Sequence, residues 1–397
     1  MAHRCGGPGR IVQRSPGARC TRCRRAAGRP VCRARSLPRV RGRRSAAGGG
    51  TAASQRATHG AGAMNARIAG VGHYLPGQPI TNEELIARHR LRIKPYFIRN
   101  HVGAETRHFA APDQATSDLA VEAAARAIDA SGVPATEIQR ILLATVSGDY
   151  PTPATACIVQ RKLGLRGRAA IDVVGACSGF LQALDLGARC VATGEGPVLV
   201  IGADVRSRQL NFSDLRTAFL YGDGAGAVVL TAGPDGAEIR HSILTADGEG
   251  AEAVYIPAGG SREPITQAGL LSQRNCITMT DGRRVADAAR AGFRHLADRL
   301  VAETCVPACD VGFVCLHQPN LFLVRQILCD LAIAEERTWI NFPAYGNTTS
   351  ASVPIALSEA VAAGRIAADS WVWLGAVGAG FAGAIQLVRW GTVRSAA

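Results

Sequence analysis

The first 63 residues contain no aspartate, glutamate or lysine and no phenylalanine, tyrosine or tryptophan, yet they hold fifteen arginines. A segment with so few large apolar side chains buries too little surface to offset the ordering of its backbone, so no core is expected there. Its charge also distorts that of the whole chain. The formal net charge of +14 disappears once the leader is set aside, leaving 30 basic against 31 acidic residues in 64–397. Arginine without interleaved aromatics offers charge attraction to nucleic acid but no base stacking, which speaks against a dedicated nucleic-acid arm. Two readings of the leader stay open. It is sequence upstream of a start at Met64, one of three methionines and placed just before the first expected strand, or an arginine-rich, acid-free transit peptide. Cys5, Cys20, Cys23 and Cys32 have irregular spacings and no supporting fold, so they do not make a zinc pattern.

The remainder, 64–397, has its own absences. No uncharged apolar run approaches the roughly eighteen residues that a membrane span requires, and no secretory apolar region precedes the body. Its eight cysteines show no paired spacing. Cys157, Cys190, Cys315 and Cys329 fall in apolar runs and are expected as reduced core thiols, which suits a cytoplasmic location.

What is present is alternation. Strands are expected at 67–71, 141–146, 169–174 and 198–202, with helices at 82–85, 117–131, 154–163 and 180–192, a pattern that predicts a helix-covered parallel or mixed sheet. The segment 89–108 reads as basic and less regular. A faint repeat accompanies the alternation: Ala225-Gly-Ala-Val-Val-Leu230 returns as Ala382-Gly-Ala-Ile-Gln-Leu387, and Val200-Ile-Gly-Ala203 as Trp373-Leu-Gly-Ala376. The two offsets, 157 and 173, differ by 16, which places an insertion near 206–221 of the first half.

Chemistry concentrates in a few places. Gly175-Ala-Cys-Ser-Gly179 joins an apolar strand to a helix, so Cys177 falls at a helix start where free N–H groups and the dipole favour a thiolate. A small buried thiol filling space is an equal reading of that stretch alone. His317 ends an apolar strand at the side where α/β proteins bind ligands, although such a histidine is more often structural. Asn347 lies in a small polar loop before a helix at 353–362 and offers an amide donor. Gly378-Ala-Gly-Phe-Ala-Gly383 matches a dinucleotide fingerprint, but a strand follows it instead of a helix, and nucleotide binding is rejected.

Taken in order, Gly-Ala-Cys177-Ser-Gly-Phe, Tyr-Gly-Asp-Gly-Ala-Gly-Ala, His317-Gln-Pro-Asn, Gly-Asn347-Thr-Thr-Ser-Ala-Ser and the terminal Gly-Ala-Gly-Phe resemble a β-ketoacyl-[acyl-carrier-protein] synthase III of the thiolase-like condensing enzymes, from about residue 65 to 391. The resemblance implies an α/β thiolase-like fold, with duplicated βαβαβαββ halves (64–238 and 239–397) in a layered α-β-α-β-α sandwich. It also implies a homodimer without metal or redox cofactor, acting on acyl-coenzyme A or acyl carrier protein. Cys177 would carry the acyl group, His317 and Asn347 would stabilise the enolate left by decarboxylation of a malonyl extender, and backbone N–H groups of Cys177 and of the loop Ala379-Gly380 would hold the oxyanion.

Departures from the family pattern mark a divergent member. The terminal loop, usually three glycines, is Gly378-Ala379-Gly380. Phe97 and His101 stand where a tryptophan and an arginine usually face the coenzyme adenine, and Phe322 where a basic residue is usual. Thr152 replaces a bulky aromatic that bounds the acyl pocket, which would admit a longer chain. With Arg216 and Asn320, these complete the expected substrate-binding set. An alternative keeps Cys177 but passes the acyl group to another acceptor, or condenses two acyl thioesters without decarboxylation, with Asp149 as base. A non-catalytic protein acting through its basic leader is the remaining class. A protein begun at Met64 should condense as fast as the full chain in a product assay, and a lost activity would give the leader a catalytic part.

Overall fold

The structure, a computed structural model, describes residues 66–395; the readings of the leader, Met64 and the four leader cysteines fall outside those residues. The chain begins with β1 (Arg67–Tyr74), α1 (Asn82–His89) and α2 (Pro95–His101). It continues through α3 (Thr116–Ser131), β2 (Arg140–Ala144), α4 (Thr155–Lys162), β3 (Ala169–Val173), α5 (Gly179–Ala192), β4 (Val198–Asp204) and β5 (Gly224–Thr231). Then come β6 (Ala237–Ala246), α6 (Gly282–Thr304), β7 (Val311–Leu316), α7 (Leu321–Asp330), α8 (Ser352–Ala362), β8 (Trp371–Gly378) and β9 (Ala382–Arg389).

Local chemistry sets several of these boundaries. Thr81 accepts from Glu84 N–H while the Glu84 carboxylate accepts from Thr81 N–H, a reciprocal cap that starts α1. Asp281 accepts from the N–H groups of Arg283 and Arg284 and starts α6, whose Ala289, Phe293, Leu296 and Leu300 form the buried stripe. All seven residues of β4 are buried, without polar alternation, because helices cover both faces of the sheet. The segment 89–108 is not irregular throughout: Pro95 opens α2 within it.

One sheet runs β7-β8-β9-β6-β1-β5-β4-β2-β3, with a short strand at Arg394–Ser395 beside β1. Its two halves meet where β1 and β6 pair through Arg67 and Ile68. Outward from that seam the order is β1, β5, β4, β2, β3 on one side and β6, β9, β8, β7 on the other. The counterpart of β3 is reduced to a bridge between Val314 and Thr338. The repeated segments therefore occupy equivalent strands, β5 with β9 and β4 with β8. Helices α3 and α4 cover one half-sheet, α6 and α7 cover the other, and α5 and α8 lie between them in the central core. This is the five-layered thiolase-like sandwich.

Two alternate residues of β4 bind the halves together. A Cβ on Gly202 would stand 2.4 Å from the Ser350 carbonyl oxygen, so the loop before α8 lies directly on the strand. Asp204, fully buried, accepts from Thr145 Oγ1, Val146 N–H and Ser147 Oγ with one oxygen, and from Ser350 N–H and Oγ with the other.

The cysteine expectation needs correction. Cys315 is buried, but Cys157 and Cys329 are exposed and Cys190 is half-buried, because α4 and α7 turn Ala156, Val159, Ile327 and Leu328 inward instead. The Gly202→Ala substitution should destabilise the protein by about 1–3 kcal/mol through overpacking. A shifted denaturant midpoint will measure this, whereas Gly260→Ala, whose added methyl meets nothing within 4 Å, should leave the midpoint in place.

Candidate active site

Cys177 sits in a tight turn (Ala176–Ser178) between β3 and the fourteen-residue α5. Its neighbour Ala176 is held at φ 44, an uncommon backbone state for a residue with a side chain. Two backbone N–H groups point at the sulfur, its own and that of Ala379. The terminal loop reaches it because Gly378 has no side chain, since a Cβ there would come within 2.7 Å of Cys177 Cβ. The positive φ of this loop, 136°, falls on Gly380, so Ala379 presents its N–H from ordinary backbone. The Gly-to-Ala departure at 379 thus leaves the donor in place.

The expectation of a thiolate is corrected. Burial pushes the Cys177 thiol up to about 12, against the pull of the Arg206 cation and the two N–H groups, while Asp204 pushes further up. The residue as a whole is half-buried and lines a partly open cavity. At rest it is a thiol.

His317 follows β7 and is wholly buried; its backbone N–H donates to the Gly375 carbonyl at 2.8 Å. Neither ring nitrogen has a hydrogen-bond partner among the described residues. Burial pulls its pKa down to about 3, so the imidazole is neutral. Asn347 is pinned by its backbone, which donates to Leu220 O (2.7 Å) and accepts from Gly222 N–H (3.2 Å). Its Oδ1 accepts from Thr349 N–H at 2.8 Å, which fixes the amide and leaves the NH₂ as the group it can offer.

All three side chains line one cavity of about 300 Å³ whose other walls include Val254, Ile277, Met279, Val285 and Val377. Loops from the first half bring Cys177, and loops from the second bring His317, Asn347 and Ala379. Arg206 and Tyr221 also line it. The sequence reading missed both, although the insertion signalled by the unequal repeat offsets begins and ends on them. A second, more open groove shares Val146, Ala176 and Ala379 with the cavity and lies beyond them, bounded also by Gln182, Leu244 and Gly380.

The expected substrate-binding residues do not line the cavity. Asn320 caps α7, its Oδ1 accepting from the N–H groups of Phe322 and Leu323. Arg216 spends its fork on Asp214 at 2.8 Å. Thr152 lies in an exposed turn before α4. Phe97 and His101, one turn apart on α2, stack on each other with ring centroids 4.0 Å apart. Leu321 N–H donates to Val102 O, which sets the end of α2 against the start of α7 and brings this pair near the exposed Phe322. Asp149 is not a free base, because Ser117 N–H and Oγ occupy its two oxygens. Among the described residues no group of three or more His, Cys, Asp or Glu is placed to hold a metal ion. No helix among them is long and apolar enough to cross a membrane.

The buried imidazole makes stability depend on pH. Unfolded, this histidine titrates near 6.5; folded, near 3. Its contribution is complete above 6.5 and drains away as pH falls from 6.5 toward 3. Urea denaturation across that window should show a shallower loss of stability in His317→Gln than in the wild type.

Comparisons with known proteins bear on the family and the fold. The family profile of 3-oxoacyl-[acyl-carrier-protein (ACP)] synthase III matches residues 171–248, and that of its C-terminal part matches 301–390. The β-ketoacyl-[acyl-carrier-protein] synthase III of Rhodopirellula baltica is 39% identical over 343 residues, covering 82% of this chain and 98% of the relative. The 3-oxopimeloyl-[acyl-carrier-protein] synthase of Rhodothermus marinus is 38% identical over 330 residues, covering 83% and 94%. The solved 3-oxoacyl-(acyl carrier protein) synthase III of Pseudomonas aeruginosa superposes with a TM-score of 0.75 at 30% identity, covering 82% of this chain and 98% of its own. The chain belongs to the β-ketoacyl-[acyl-carrier-protein] synthase III family.

Proposed function

We propose that this acyl-transferring condensing enzyme loads an acyl group on Cys177 and joins it to a malonyl-carrier protein with loss of CO₂. The observation that carries the reading is the convergence, in one largely apolar cavity, of a thiol, two neutral side-chain donors and two backbone N–H groups aimed at the sulfur.

The first half-reaction forms the Cys177 thioester and breaks that of the donor; the thiol proton ends on the departing thiol. Sulfur suits the position because it attacks well and later leaves easily. Malonyl thioester then binds with its carbonyl oxygen toward His317 and the Asn347 amide. Carbon dioxide departs, the electron pair moves into an enolate, and the two donors hold its charge without having to reorganise. A neutral imidazole serves here as a donor that does not hand over a full proton. The enolate carbon attacks the acyl carbonyl, whose oxygen takes its charge between the N–H groups of Cys177 and Ala379. Collapse expels the Cys177 thiolate, which is reprotonated, and releases the 3-oxoacyl product. The scheme needs no metal and no redox cofactor.

Asp149, the base named for a non-decarboxylative condensation, has both carboxylate oxygens engaged by Ser117, which favours the decarboxylative reading. Acyl-coenzyme A or acyl carrier protein is the donor, with the flat, half-exposed Phe97–His101 pair and Phe322 offering a platform at the outer edge. The acyl group itself is not fixed by membership of the family, since one relative is named for a 3-oxopimeloyl product. A homodimer is supported by the open edge of β3, where Ile171 and the following Val174 are exposed. A cytoplasmic site fits eight free cysteines in the body.

Incubation with acyl-coenzyme A and labelled malonyl-carrier protein should release CO₂ and give a 3-oxoacyl product. An acyl-enzyme without either would overturn the synthase reading. Cys177→Ala should lose the acyl adduct in intact-protein mass spectra and reduce condensation by at least about 10³-fold, while keeping the wild-type fold. An adduct that survives would move the nucleophile elsewhere.

A further inference from the structure

Two arginines are buried among the described residues, and they are placed differently. Arg107 gives its fork to Asn82 Oδ1 and to the carbonyl oxygens of Ile80 and Phe219, outside the cavity. Arg206 is 7% exposed and forms part of the cavity wall that also holds Cys177. Its Nη1 donates to Gln209 Oε1 at 2.5 Å and, at 3.5 Å, to Val146 O. Its Nε is buried without a partner, and its Nη2 makes no hydrogen bond among the described residues. No carboxylate there lies within ion-pair distance of it. The nearest candidates are already engaged: Asp204 takes its five donors, and Asp223 accepts from Ala110 N–H and from Ser207 N–H and Oγ. The Tyr221 ring, 5.7 Å from the guanidinium carbon, offers the cation only a π face.

An unpaired guanidinium in a largely apolar cavity is expensive, and its free edge matches one kind of partner best, a planar carboxylate taken by two parallel hydrogen bonds. We propose that Arg206 is the recognition group for a carboxylate at the far end of the acyl starter, so that this site selects short dicarboxylic acyl thioesters over neutral ones. The proposal rests on the reading of Cys177 as the acyl carrier. Two carboxylates can enter the cavity, that of the starter and that of the malonyl extender. The extender's must leave as neutral CO₂, and a guanidinium clamped on it would stabilise the ground state more than the transition state, slowing the step. The starter's carboxylate stays charged throughout both half-reactions. The shared cavity of about 300 Å³ keeps the span between thiol and guanidinium short.

The test compares glutaryl-coenzyme A with 5-methylhexanoyl-coenzyme A, in which an isopropyl group replaces the carboxylate at nearly constant shape. The rate of adduct formation on Cys177 is followed in the wild type, Arg206→Leu and Arg206→Lys. The wild type should prefer the glutaryl thioester by at least about tenfold, the worth of a charge-assisted hydrogen bond. Arg206→Leu should slow glutaryl loading by roughly ten- to a hundredfold and reverse the preference, and Arg206→Lys should keep a reduced preference of the original sign. Wild-type preference for the neutral thioester overturns the proposal, even if Arg206→Leu does not fold. Equal slowing of both thioesters would assign Arg206 to the thiol, and an unchanged starter preference with a raised KM for malonyl-carrier protein would assign it to the extender; either overturns the proposal. No adduct from any thioester overturns the condensing-enzyme reading as well.

Discussion

The site exists because two backbones touch. Gly202 in β4 lets the Ser350 carbonyl rest on the strand, and Asp204, two residues on, holds the Ser350 N–H and hydroxyl with one oxygen and the 145–147 segment with the other. Three residues before Ser350 is Asn347. Its backbone is paired with the Leu220–Gly222 segment of the first half, so contacts between halves place the residue and the Thr349 N–H then orients its amide. The same logic applies on the other side of the cavity, where Gly378 brings the Ala379 N–H onto the Cys177 sulfur. Chemistry that needs donors held to a fraction of an ångström is thereby assigned to the close-packed contact between the halves.

The electrostatics follow from the same burial. A thiol pushed up to about 12 and an imidazole pulled down to about 3 are both neutral at any physiological pH. The cavity at rest therefore holds one full charge, that of Arg206, and every other polar group in it is a dipole. Such a cavity answers weakly to changes in solvent pH and strongly to the charge that a substrate carries in. The negative charges formed during condensation meet preset dipoles in a low-dielectric setting, where each is worth more than in water.

Much of this was legible in residue order. The strand–turn–helix around Cys177, the strand end at His317 and the Asn347 loop are local patterns of apolar runs broken by small or polar residues, and the structure gathers all three. The repeated segments 225–230 and 382–387 name strands that occupy equivalent places in the sheet. What was not legible is non-local. A helix-start cysteine looks like a thiolate until the depth of its burial is known. Asn320 looks like a ligand contact because the same amide that would bind substrate also caps a helix. Cys157 and Cys329 look like core thiols because exposure depends on which helix face the sheet receives. Arg206 looks like one more surface charge in an insertion; only the fold shows the cavity on which that insertion closes.

The groove beyond the cavity gives Val146, Ala176 and Ala379 a further meaning. These three residues line both spaces, so the thiol's chamber and the outer groove adjoin at them. None of them is large. Where the chamber meets the groove, its wall is consequently made of three small side chains and not of the ten-stranded sheet. Within this architecture, the chamber's size can drift without disturbing the nucleophile's address.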